Sequence, residues 1–131
     1  MPKTLTILLV EDHVDTREVI SRFLSRRGHP FRAEGTCAGA LQAFEQGQFK
    51  VLISNISLPD GDGCELARKL LTKRPQLYAV AETGHCTGPD VARCLEAGFR
   101  HHLCKPFTLD RLASVLDEAL AESRAHRPDL C

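Results

Sequence analysis

The sequence predicts an α/β fold of the doubly wound kind, a parallel five-stranded sheet with helices on both faces, and three observations carry that prediction. Short apolar runs alternate with helical patterns five times along the 131 residues, an alternation that requires right-handed crossovers and hence a parallel sheet. The run Val51-Leu52-Ile53 is continuously apolar, as expected of a strand buried on both faces. Each apolar run also ends in a polar residue, on the side where such sheets gather their working groups.

The elements follow in order. Residues 5–10 form the first strand and end in the acidic pair Glu11-Asp12. The helix after it sets Val19, Ile20, Phe23 and Leu24 on one face, with Gly28 just past its end. A weaker second strand covers residues 31–34. Thr36 suits an N-cap for a helix carrying Cys37, Ala40, Leu41 and Phe44 at i, i+3, i+4 and i+7 spacing, closed by Gly47. Residues 50–54 form the third strand, and residues 58–63, Leu-Pro-Asp-Gly-Asp-Gly, are a dense turn signal. Helix three carries Leu66, Ala67, Leu70 and Leu71 and stops before Pro75. The fourth strand is residues 77–81. Thr87 caps helix four, with Asp90 in its first turn and Gly98 at its end. The fifth strand is residues 99–104, and Thr108 caps a helix with the stripe Leu109, Leu112, Ala113, Leu116 and Leu120. One domain over residues 1–122 and a polar tail over 123–131 are expected, since the tail contains Pro128 and lacks an apolar stripe.

Composition excludes several classes. Lys+Arg and Asp+Glu number 17 each, for zero net charge, so no long-range attraction to nucleic acid or an anionic membrane is expected. No apolar run approaches bilayer-spanning length, and the start lacks the pattern of a signal peptide, which makes a cytoplasmic location the expectation. The six cysteines form no Cys-x-x-Cys pair and read mostly as small core residues rather than disulfides, with Cys131 the thiol expected to be reactive. His85, Cys86, His101, His102 and Cys104 match no zinc-finger spacing, so no zinc site is expected among them.

The strand ends supply a short set of polar groups: Glu11 and Asp12, Asn55, Thr83 and Lys105. Two acids, a hydroxyl and an ammonium around one crevice suit a divalent cation beside a phosphoryl group. Mg²⁺ takes a few carboxylates and keeps several waters, while ammonium and hydroxyl groups bind phosphoryl oxygens.

The segments Val10-Glu11-Asp12, Leu58-Pro59-Asp60-Gly61-Asp62-Gly63, Thr83-Gly84 and Lys105-Pro106-Phe107 together resemble the receiver domains of two-component response regulators, over about residues 5–120. The run Gly98-Phe99-Arg100-His101-His102-Leu103-Cys104-Lys105-Pro106 also resembles receivers appended to hybrid histidine kinases. The resemblance implies a flavodoxin-like (βα)5 sandwich with strand order 2-1-3-4-5. It implies a Mg²⁺ site at Glu11, Asp12, position 55 and the backbone carbonyl of Ser57. It implies a phosphoacceptor at position 55, a switch at Thr83 and a phosphate contact at Lys105, and a peptide before Pro106 that is commonly cis. His102 stands where many receivers place an aromatic switch residue. The partners implied are a histidine kinase or histidine phosphotransfer domain docking on helix one and nearby loops, and an output or homodimer face on helix four, strand five and helix five. A receiver of this kind is a signalling module, not an enzyme; it works through its surface or as a piece of a longer hybrid kinase.

The sequence departs from that pattern at the acceptor itself, which is Asn55. An amide is a poor nucleophile beside a carboxylate, so the acyl phosphate, and the autophosphatase chemistry that follows it, should be lost. Mg²⁺ affinity should also fall with one carboxylate gone. Without metal the remaining acids should repel less, and Lys105 is expected to pair with Asp12. Asn55 fits either a natural pseudo-receiver or an altered active parent, and the otherwise intact phosphate apparatus leans toward alteration. Glu82 is a second departure, an acid where an apolar strand-end residue is expected, and reads as a rim residue or a further alteration. The competing function is a small Mg²⁺-dependent phosphatase or hydrolase on the same fold, which lacks a nucleophile at the third strand end. An FMN protein would need a phosphate cradle where Glu11, Asp12 and His13 stand.

Overall fold

The computed structural model describes residues 4–125. Its elements in chain order are β1 (Ile7–Val10), α1 (Val14–Arg26), β2 (Phe31–Glu34), α2 (Cys37–Glu45), β3 (Val51–Asn55), β4 (Ser57–Leu58), β5 (Gly61–Asp62), α3 (Gly63–Lys73), β6 (Tyr78–Thr83), α4 (Gly88–Ala97), β7 (His101–Cys104) and α5 (Leu109–Ala125). The main sheet has the order β2-β1-β3-β6-β7 with every neighbouring pair parallel. With the short β4–β5 hairpin set aside, that is the expected order 2-1-3-4-5.

The alternation of side chains along the strands sorts the core into two layers. Leu8 and Val10 of β1 join Leu52, Ala79 and Ala81 beneath α2, α3 and α4. Ile7 and Leu9 join Val51, Ile53, Val80 and Leu103 beneath α1 and α5. The central strands are therefore apolar on both faces, and each fully buried Leu or Ile contributes roughly 1.5–3 kcal/mol of transfer free energy.

The caps are those the sequence suggests at three helices. Thr36 accepts from the Gly39 amide, Thr87 forms a reciprocal capping box with Asp90, and Thr108 accepts from the Arg111 amide. Gly28 and Gly98 take positive φ of 78° and 105° at the ends of α1 and α4, where a side chain would be strained. The turn signal at residues 58–63 proves more ordered than a loop: β4 and β5 pair antiparallel, and Asp62 caps α3 by accepting from the Cys64 amide. Asp60 accepts from the amides of both Cys37 and Ala38, tying this hairpin to the N-terminus of α2. The Lys105–Pro106 peptide is cis. Helix α5 continues to Ala125, and the rest of the expected tail, with Cys131, lies outside the described residues.

Candidate functional site

The carboxyl ends of β1, β3, β6 and β7 bring Glu11, Asp12, Asn55, Thr83 and Lys105 to one edge of the sheet. Asn55 and Glu82 are register partners on neighbouring strands, so both face the α1–α5 side, as does Glu11 at the end of β1. Glu11 is fully buried. One of its oxygens accepts from Lys105 Nζ at 2.8 Å, and the other accepts from the His13 amide at 3.0 Å and from Asn55 Nδ2 at 3.2 Å. Lys105 therefore pairs with Glu11 and not with Asp12, correcting the sequence expectation. Asp12 is exposed and one residue further along, and its partner is the amide.

Asn55 spans the two acids. Its Nδ2 donates to Glu11 and, at 2.9 Å, to Asp12, while its Oδ1 accepts from the Ile56 amide at 3.0 Å. Carboxylates only accept, so the amide nitrogen has to face them. The –NH₂ group thus holds together two anions that would otherwise need a cation between them. Gly63 backs this arrangement: a Cβ there would run into the Asn55 carbonyl oxygen and lie 2.9 Å from the Ile56 Cα.

Glu82 is the residue that sequence reasoning misplaced. It is not at the rim; its exposure is 0%. Neither of its oxygens meets an ordinary donor, Lys105 Nζ standing 3.7 Å away. Burial, the hydrogen bond with Glu11 and the charge of Glu11 push its carboxyl up to about 9, against the pull of Lys105. Burial also works against the ionised form of Glu11, but hydrogen bonds from Glu82, Lys105 and the His13 amide hold it at about 2. The two carboxyls therefore divide the roles: Glu82 keeps the proton and donates it to an ionised Glu11. A lone acid at a strand end gives no sign in sequence of whether it is solvated or sealed; only the register, which sets Glu82 beside Asn55 on the neighbouring strand, shows it.

Thr83 is buried, and its Oγ1 accepts from the His85 amide at 3.0 Å. Its carbonyl oxygen accepts from the Lys105 amide at 2.8 Å. His102 is half-buried, its Nδ1 lying 3.7 Å from Cys104 Sγ and its Nε2 buried without a partner. Ser57 opens the small hairpin two residues past Asn55, opposite Asp62.

The cysteine reading requires correction in part. Cys64 and Cys94 are buried and free, as expected of core residues. Cys86 and Cys104 are instead exposed and joined by a disulfide, their Cα atoms 6.0 Å apart. They are 18 residues apart in sequence, a separation that conceals the adjacency of β6 and β7, where Thr83 and Cys104 are register partners. The ligand atoms of Cys86, His102 and Cys104 lie within 4.8 Å of one another. His101 takes no part, since its Nε2 meets the Tyr78 hydroxyl at 2.9 Å and Glu118 at 2.5 Å.

The residues at the pocket fit a divalent cation weakly. Glu11 and Asp12 remain as carboxylates, but the third position presents an amide nitrogen, and Asn55 could offer oxygen only after turning over. A cavity of about 610 Å³ lined by Thr4, Thr6, Lys50 and Arg74 lies at the opposite, amino-terminal edge of the strands and shares no residue with this pocket. No helix among the described residues is long and apolar enough to cross a membrane.

Known proteins match over this same frame. The chain is 30% identical over 115 residues to the DNA-binding transcriptional regulator NtrC of Azospirillum brasilense, covering 88% of this chain and 24% of that protein. It is 28% identical over 112 residues to the sensor histidine kinase RcsC of Salmonella typhi, covering 86% of this chain and 12% of the kinase. The chain thus spans a quarter or less of these relatives. Among solved structures, NtrX from Brucella abortus superposes with a TM-score of 0.86 at 29% identity, over 93% of this chain and 28% of NtrX. The CheY-like receiver domain protein of Methanospirillum hungatei gives 0.81 at 26% identity, over 91% and 98%. Neither relative nor solved structure favours the hydrolase alternative. The family model described as the response regulator receiver domain matches residues 7–117, and the chain belongs to that family, a family of two-component signalling modules.

Proposed function

We propose that this receiver is a natural pseudo-receiver, one that takes part in two-component signalling by docking and cannot accept a phosphoryl group. The observation that carries the reading is the state of position 55. Its side chain is an amide whose nitrogen and oxygen are both committed, to Glu11 and Asp12 on one side and to the Ile56 amide on the other. An Asp at that position would set a third ionised carboxylate against two others, with Glu82 beside it. Glu82 is tolerable because its neighbour is neutral, so the two departures from the family pattern support each other. That mutual fit favours a settled natural arrangement over a lesion in an active parent.

In this reading Glu11, Asp12, Asn55 and the Ser57 carbonyl would hold Mg²⁺ only weakly, where the ion would supply charge neutralisation for incoming phosphate. Thr83 and Lys105 would contact a phosphoryl group, and Thr83 with His102 on the neighbouring strand would form the switch. The receiver unit, expected over residues 1–122, runs through α5 to Ala125 and works in the cytoplasm. Val14 and Val19 on α1 remain 61% and 52% exposed, apolar surface suited to a helix of a histidine kinase or phosphotransfer domain. Leu95 on α4 and Leu109 on α5 are also exposed, on the proposed output or homodimer surface. Concentration-dependent sedimentation that Leu95→Glu removes is the expected sign of the latter.

The direct test is incubation with acetyl phosphate and Mg²⁺ followed by intact mass, for this chain and for Asn55→Asp. Inertness of both chains supports the proposal. An adduct on the Asp variant alone marks an altered active parent and overturns the natural reading, and an adduct on the unaltered chain overturns the block at Asn55.

A further inference from the structure

The geometry points to a second site that position 55 does not involve: when reduced, Cys86, Cys104 and His102 form a thiolate–imidazole site for a zinc-like divalent cation, and the disulfide is its oxidised, metal-free form. Cys86 lies in the loop after β6, and Cys104 ends β7. Their Sγ atoms and a His102 nitrogen fall within 4.8 Å of one another, and it is His102 Nδ1 that faces Cys104 Sγ, at 3.7 Å. Two sulfurs on one tetrahedral zinc, at Zn–S of about 2.3 Å, are separated by roughly 3.8 Å. Both cysteines are exposed side chains, able to open to that spacing by rotation, and the Cα separation of 6.0 Å need not change.

Donor type selects the metal. Soft thiolates with one imidazole favour zinc-like ions and disfavour Mg²⁺, whereas the oxygen donors at Glu11 and Asp12 have the opposite preference. Three protein ligands leave one tetrahedral position for water. The chemistry balances with a thiol reductant: the Cys86–Cys104 bond breaks as two RSH become RSSR, leaving two protein thiols. Binding of Zn²⁺ then releases two protons and leaves two thiolates and a neutral imidazole on the ion. One pair of sulfurs cannot serve both states, so oxidation must expel the metal.

The test is anaerobic titration of the whole chain with Co²⁺, before and after reduction by a phosphine. The reduced chain should bind one Co²⁺ with a sulfur-to-cobalt charge-transfer band and the intense visible bands of tetrahedral coordination. Oxygen-only binding at Glu11 and Asp12 would show neither. Zn²⁺ should displace the cobalt, and a disulfide oxidant should abolish the bands. Cys86→Ser and Cys104→Ser should each remove them, and Cys131→Ser should leave them unchanged. His102→Ala should weaken binding by more than about tenfold, since losses even outside the ligand shell cost that much. Absence of the charge-transfer band in the reduced chain, or its survival in the Cys86→Ser, Cys104→Ser double variant or after oxidation, overturns the site.

Discussion

Replacing Glu82 by Gln should stabilise this protein, and by an amount that grows with pH. The carboxyl of Glu82 is fully buried and lies beside ionised Glu11, which with burial raises it from 4.5 to about 9. A raised pKa means that the folded state holds a proton that the unfolded chain releases above 4.5. Stability from this group is therefore complete below 4.5 and is lost progressively as pH rises toward 9. The slope is one proton, about 1.4 kcal/mol per pH unit over the 2.5 units from 4.5 to 7, so that at pH 7 Glu82 costs at most about 3–4 kcal/mol. That is a large share of a stability of roughly 5–15 kcal/mol. Gln keeps the shape, donates an N–H to Glu11 and does not titrate. Glu11 has the opposite sign: held at about 2, it contributes stability present above 4.5 and lost progressively as pH falls from 4.5 through 2, outside the window compared.

The assay is urea unfolding of both proteins in chelator-containing buffer at several values between about pH 5 and 8.5, a window set by the two limits of this linkage. The difference in unfolding free energy should be near zero at the acid end and should widen steadily toward the alkaline end. Groups common to both proteins cancel in the difference. Parallel profiles, or a variant less stable throughout, would refute the account of Glu82 as a sealed proton donor and mean that it is ionised or solvated in the folded protein.

Three other perturbations follow from the same geometry. Asn55→Asp should lower stability in metal-free buffer at pH 7 by about 3–4 kcal/mol, bounded by the cost of keeping the new carboxyl protonated. Mg²⁺ should then raise the melting temperature of the variant more than that of the unaltered chain, and equal shifts would contradict the reading. Gly63→Ala should destabilise by about 1–3 kcal/mol or more from overpacking against backbone, because its Cβ meets the Asn55 carbonyl and the Ile56 Cα; a neutral variant in a denaturant melt would show that the β4–β5 hairpin yields easily. His29 is buried, its Nδ1 accepts from the Leu5 amide at 3.0 Å, and burial, then the charge of Arg27, lowers its pKa from 6.5. Its contribution is thus lost as pH falls below 6.5, and His29→Phe should flatten that acid-side decline while costing about 1–3 kcal/mol for the orphaned Leu5 amide, measurable as unfolding midpoints on either side of pH 6.5.

Much of the fold was legible because strands buried on both faces leave an unbroken apolar run, and Val51-Leu52-Ile53 could be little else. The helix ends at Thr36, Thr87 and Thr108 were legible for an equally local reason, since a cap is decided within four residues. The site was legible as a set of positions, because polar residues closing apolar strands of a parallel sheet must gather at one edge. What escaped were relations between strands. Sequence shows that Glu11, Asp12 and Lys105 meet, but the choice of Glu11 over Asp12 as the lysine's partner depends on which face of the sheet each side chain takes. Glu11, Asn55 and Glu82 share a face; Asp12, one residue on, does not. The same blindness hid the Cys86–Cys104 contact, which arises only because β6 and β7 are neighbours with Thr83 opposite Cys104.

Face also decides how Asn55 and Glu82 should be understood. An amide at position 55 removes one negative charge from the row across β1, β3 and β6, and a carboxyl on β6 returns one ionisable group to it. The returned group is buried where a charge is expensive, so it stays protonated and acts as a donor. The row therefore runs carboxylate, amide, carboxylic acid, with Lys105 against the carboxylate and the Asn55 amide hydrogens on Glu11 and Asp12. A pocket built for a metal and a phosphoryl group would leave those acids open to cations. Here protein hydrogens already occupy both Glu11 oxygens and one of Asp12, a single structural cause for the proposed loss of covalent chemistry and the proposed weakness of the metal site.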